Sequence, residues 1–176
     1  MNKVLLVAIA LLLAGCANVF IGDHVVDKSF TVSTQRMLVV GAIDGQWNSS
    51  APEIFKKAMS QELSRCGITA EVYAPPGLEL NEATKLAALI ASLRPDSILN
   101  VHQISRSSSR GEVIGGNYII SLVIPAAHRE VWKASVSLSD GFFAEQREDG
   151  AAKLARNIVQ QMIQDGTLRS CPLPTP

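Results

Sequence analysis

The spacing of apolar positions along the chain changes period several times, and each change marks an element. Residues 37–43, Met-Leu-Val-Val-Gly-Ala-Ile, form a short branched apolar run of the kind a strand shows when both its faces are covered. Asp44, Gly45 and Gln46 open a turn, and Ser50 with Glu53 three residues on, around Pro52, predicts a capping box at a helix start. Ile54, Phe55, Ala58, Met59 and Leu63 then recur at helical steps, and Gly67 is placed to end the helix. In residues 68–73, Ile68, Ala70 and Val72 alternate with Thr69, Glu71 and Tyr73, which predicts a second strand stopped by Pro75-Pro76-Gly77. Asn81 can cap a second helix with an unbroken stripe of Leu86, Leu89, Ile90 and Leu93, ended by Pro95. Residues 97–104 are a third strand. Strand, helix, strand, helix, strand at this spacing predicts a parallel sheet built from two crossover units.

After Ile104 the pattern changes. Residues 105–116 are rich in Ser, Arg and Gly and are expected to form a hairpin loop. Tyr118, Ile120, Leu122 and Ile124, and after a turn Trp132, Ala134, Val136 and Leu138, alternate with polar positions as half-buried antiparallel strands do. Lys133, on the polar side, would protect an outer strand from pairing with other chains. A last helix is expected over residues 148–165, with Ala151, Ala155, Ile158, Val159, Met162 and Ile163 buried and Gly166 at its end. Upstream, residues 17–36 show no clean period and predict a tether, with one short strand near Phe30 and Val32. The fold class is therefore α/β with a mixed sheet in the order βαβαβββα: three parallel strands, an antiparallel hairpin and three helices. The single domain spans residues 37–171, and the Pro-rich residues 172–176 form a tail.

The amino terminus is an address. Lys3, the apolar run 4–13 and the small pair Ala14-Gly15 before Cys16 have the charge, length and residue size of an export signal over residues 1–15. The apolar run is about half of the roughly 20 residues needed to cross a bilayer. Leu13-Ala14-Gly15-Cys16 resembles a bacterial lipobox, which implies that Cys16 becomes the acylated first residue of the mature protein and residues 16–36 its lipid-anchored tether. A plain secretory signal with Cys16 incidental is the alternative. Ala17 is not the aspartate that resembles an inner-membrane retention signal, so the expected location is the periplasmic face of the outer membrane.

The chain has 16 basic and 16 acidic side chains, and loss of Lys3 with the leader leaves it close to neutral. No basic excess points to nucleic acid or to a polybasic membrane surface. With Cys16 acylated, Cys66 and Cys171 remain as an even pair in an oxidising compartment, and a disulfide is expected; two unrelated buried thiols are the alternative. Neither has a histidine or second cysteine at metal-ligand spacing, so neither a metal nor another cofactor is expected. His24, His102 and His128 fall in three different elements, and the serine-hydrolase, zinc-protease and phosphate-loop motifs are missing. Asn100 and His102 share one face of the third strand, either as a polar pair in a pocket or as a hydrogen-bonded core pair under a helix.

Leu38-Val39-Val40, the helix ending Leu63-Ser64-Arg65-Cys66-Gly67, the Arg94-Pro95-Asp96 lead into a strand and Glu130-Val131-Trp132-Lys133-Ala134, behind a lipobox, give the chain a likeness. It resembles the α/β domain of the curli-secretion lipoproteins, of the lipoprotein activators of penicillin-binding proteins and of the TolB amino-terminal domain. The resemblance implies a non-enzymatic envelope module that binds another envelope protein or copies of itself. The alternative is a small-ligand-binding or hydrolytic domain using the crevice at the carboxyl ends of the parallel strands. With those strands pointing up, Cys66 and Cys171 are both delivered to the lower edge. The tether is expected to enter there too, which places the lipid anchor below and the loops holding Trp47, Arg106, Arg110 and Phe142 on an upper, protein-docking surface. Alternatively, Trp47 and Phe142 fold back to plug the ends of the core.

Overall fold

The computed structural model describes residues 18–30, 33–41, 50–74, 81–109, 112–139, 144–169 and 171. Its elements are β1 (Asn18–Val26), β2 (Arg36–Val40), α1 (Ala51–Arg65), β3 (Thr69–Tyr73), α2 (Glu82–Leu93), β4 (Ser97–Ser109), β5 (Glu112–Ile124), a 3-10 turn (Pro125–Ala127), β6 (Arg129–Ser139) and α3 (Ala144–Gln164). The strands form one mixed sheet in the order β1-β6-β5-β4-β2-β3. β2 is parallel to β3 and β4, and the pairs β4/β5, β5/β6 and β6/β1 are antiparallel. Strands β2, β3, β4 and β6 therefore run up, and β5 and β1 run down.

The chain steps from β2 outward to β3 and then back past β2 to β4. Because crossover connections are right-handed, these opposite steps put α1 and α2 on opposite faces. α1 shares its face with α3, and the main core lies between these two helices and the sheet. Phe55, Met59 and Leu63 from α1 meet Leu154, Ile158 and Met162 from α3 over Val39, Leu99, Ile120 and Val136. Burial of side chains this size contributes about 1.5–3 kcal/mol each relative to exposure. On the other face α2 covers the β2 region, where Leu38 is fully buried; Met37, Leu38 and Val39 are thus enclosed from both sides, as their unbroken apolar run predicts. α2 itself has no fully buried residue. Leu86, Leu89, Ile90 and Leu93 form its half-buried side, because no second helix packs against it among the described residues.

Local sequence chemistry sets the helix ends. Gly67 has φ +72°, and the N–H groups of Ile68 and Gly67 donate to the carbonyls of Leu63 and Ser64, a Schellman ending that Gly166 repeats on α3. Ser50 and Asn81 occupy the predicted cap positions, but neither side chain caps its helix. Neither has the extended backbone that turns a cap side chain toward the first free N–H groups, and at Ser50 (φ −75°, ψ −5°) the chain is already helical. Asp96 ties the start of β4 to β2: one carboxylate oxygen accepts the N–H groups of Gln35 (2.9 Å) and Arg36 (3.0 Å).

Three features differ from the sequence expectations. The tether is in part a strand, β1, so the sheet has six strands and Lys133 lies on an interior strand opposite Val25, where it protects no edge. The expected loop 105–116 is largely paired backbone: β4 and β5 continue through Ser105↔Asn117 to Ser109↔Glu112. α3 begins at Ala144, ahead of the predicted start. The predicted disulfide is present, joining Cys66 to Cys171 with Cα atoms 4.2 Å apart across 105 residues of chain.

Candidate functional site

The antiparallel half of the sheet, β4-β5-β6-β1, is packed on one side and open on the other. Its open face carries a polar ladder: Asn117 Nδ2 donates to Ser105 Oγ (2.7 Å), and Ser137 Oγ donates to Asn117 Oδ1 (2.6 Å). Phe20 stands next in that row, opposite Ser137, and is 68 % exposed. Ile104 is 57 % exposed because a register shift between Gln103 and Ser105 takes it out of the alternation. An aromatic and an aliphatic side chain beside satisfied hydroxyl and amide groups make a surface suited to a protein partner.

β1 is fastened to α3 by a second device. A bulge between Ile21 and His24 lets both face the helices, although they are three positions apart. His24 Nε2 lies 3.3 Å from Asp165 Oδ1, which also accepts Gln161 Nε2 (3.0 Å), while Asp165 Oδ2 accepts the indole N–H of Trp132 (2.7 Å). The Asp165 side chain is only 9 % exposed, so these donors replace the water it has lost.

Below this cluster, a shallow recess of about 240 Å³ is lined by Asp27, Lys28, Phe30, Thr167 and Arg169, among others. Asp27 forms its acidic side. Its carboxylate accepts the Ser29 hydroxyl (2.6 Å) and the Ser29 N–H (3.0 Å) and pairs with Arg129. The Ser29 hydroxyl first, then the Ser29 N–H and the Arg129 charge, hold the Asp27 pKa below its usual 3.8, against the opposing effect of desolvation.

The residues singled out from sequence are dispersed. Cys16, Trp47, Arg110 and Phe142 lie outside the described residues. Arg106 is exposed and sits in strand β4 opposite Gly116, where a loop was expected. His102 is exposed on the open face opposite Ile119, so it is not a core histidine under a helix; neither it nor Asn100 lines the recess at Asp27. Among the described residues no group of three or more His, Cys, Asp or Glu is placed to hold a metal, and no helix is long and apolar enough to cross a membrane.

One placement is corrected outright. β1 runs down, with Asn18 opposite Ser139 and Val26 opposite Trp132, so the described chain begins at the upper edge. The tether was expected at the lower edge because β2 does begin there; β1 reverses the direction before the chain reaches β2. Phe20, His24 and Asp165 were not recognised as a set. Only the outward Phe20 between inward Val19 and Ile21 hinted at a strand, and the bulge at Gly22-Asp23 erased the period after it.

These features define a mixed α/β module with one open sheet face. No family model matches the chain, and no curated protein matches it in sequence. Among solved structures it is similar to the PelC dodecamer from Paraburkholderia phytofirmans, at 12% identity and a TM-score of 0.44 over 78% of this chain and 94% of that one. A single-substitution variant of that dodecamer, in another crystal form, gives 13% identity with the same TM-score and coverage. At this identity no residue role passes from that protein to this chain.

Proposed function

We propose that this chain is a lipid-anchored module of the bacterial envelope, acylated at Cys16 and held at the periplasmic face of the outer membrane, which acts by binding protein rather than by catalysis. The observation that carries the binding role is the open face of β4-β5-β6-β1, with Phe20 and Ile104 exposed beside the Ser105-Asn117-Ser137 ladder. Trp47, Arg106, Arg110 and Phe142 remain proposed contacts. Support for the location comes from the Leu13-Ala14-Gly15-Cys16 motif and from a disulfide of the kind that persists where thiols are oxidised. The alternative, a small-ligand or hydrolytic site in the crevice at the carboxyl ends of the parallel strands, would need Asn100 and His102 together in a cleft; His102 is instead exposed on the open sheet face.

A photo-crosslinking residue at Phe20, compared with one at the exposed Lys57 on α1, tests the binding role in intact cells. Adducts from position 20 are expected, and their mass separates a second copy of the chain from a different envelope protein. Adducts from position 57 with none from position 20 would refute the open face as the binding surface.

A further inference from the structure

We infer that the upper end of the antiparallel half-sheet rests against the headgroups of the membrane in which the chain is anchored, and that the lower end, with its charged recess, points away. The inference rests on the acylation of Cys16 proposed above and adds an orientation to it.

The geometry follows from strand register. Val40, the last residue of β2, is level with Asn100, Ser121, Lys133 and Val25. Asn18 is level with Ser139, Gly115 and Ser107. From Lys133 to Ser139 the antiparallel strands continue six residues beyond β2, an overhang of roughly 20 Å at the rise of a strand. The chain enters the domain on this overhang, where its first backbone pairing is Asn18 with Ser139; the β4–β5 hairpin, paired on to Ser109 and Glu112, continues a few residues beyond that level. Cys16 is two residues earlier, which allows at most about 7 Å of extended chain between the acylated residue and Asn18. A glyceride on so short a leash cannot reach a bilayer lying at the other end of the sheet: ten steps of β6 separate Arg129 from Ser139, roughly 33 Å.

β1 holds its place at both ends of its length, by the ladder with β6 and by the His24 contact with Asp165, so the anchor is fixed to the domain by a paired strand and not by a loose tether.

The test uses the full lipidated protein in vesicles of phosphatidylethanolamine and phosphatidylglycerol doped with a lipid carrying a nitroxide on its headgroup. With Cys16 acylated and Cys66 bonded to Cys171, a cysteine introduced by Ser139→Cys or by Ala127→Cys, exposed residues at opposite ends of the sheet, is the sole thiol available to a bimane label. Quenching several-fold greater at position 139 than at position 127 is expected. Equal quenching, or greater quenching at 127, in protein whose mass shows acylated Cys16 would overturn the orientation alone. A mass showing no acyl group would overturn the anchoring and the orientation together.

Discussion

Asp165 is the residue on which the lower end of the domain converges. Its carboxylate is the acceptor for a fully buried indole N–H, an amide and a histidine ring. Asp165→Ala leaves Trp132 Nε1 without that acceptor and is expected to cost about 1–3 kcal/mol in urea unfolding. His24→Ala removes a partly exposed contact and is expected to cost less than about 1 kcal/mol. Equal effects of the two would show that Trp132 does not depend on Asp165. Asp27 gives a pH signature. Its folded pKa is depressed, so its contribution to stability is complete above its ordinary value of 3.8 and is lost as pH falls through the lower, folded value. Ser29→Ala removes the largest cause, and the Asp27 carboxyl followed by NMR should then titrate closer to its ordinary value. An unchanged titration curve would place the cause with Arg129 instead.

At the level of elements, the sheet depends on a close approach between β2 and β4. Gly41 has φ +116°, and a Cβ there would lie 2.1 Å from the Val101 carbonyl oxygen, which is backbone and cannot give way. At Gly67 the backbone is also left-handed, but a Cβ would meet nothing within 4 Å. Gly67→Ala should therefore show only the conformational cost, about 1–2 kcal/mol, and Gly41→Ala distinctly more. Similar losses at the two sites would mean that β4 shifts to accept the methyl group. The helices, β2, β3 and the inner faces of β5 and β6 were legible because an apolar face meets a core there and imposes its period. β1 was not, since its bulge changes the face of every residue after Ile21. The β4–β5 extension was not either: with serine, arginine and glycine along it, pairing is maintained by backbone hydrogen bonds, and the side-chain pattern does not record it.

For the whole molecule, the Cys66–Cys171 bond closes a loop of 105 residues, joining the end of α1 to the segment after α3. In the chain-entropy model this is worth about 4–5 kcal/mol, so replacing both cysteines with alanine should lower the urea midpoint by a corresponding amount. An unchanged midpoint would mean that the reduced unfolded chain is already held compact. Topology carried this pairing from sequence, since both helices had to run down. The same reasoning misplaced the anchor, because it lacked one strand. The proposed candidate site was legible only in its address: the Cys16 motif lies in the sequence, whereas the open face needs β1 in place before Phe20 acquires a neighbour. The account as a whole depends on Cys16, and the mass of the amino-terminal peptide of the mature protein, released from isolated membranes, tests it most directly. A peptide beginning at Cys16 and carrying a diacylglyceryl group is predicted; one that begins at any other residue, or at an unmodified Cys16, would contradict it.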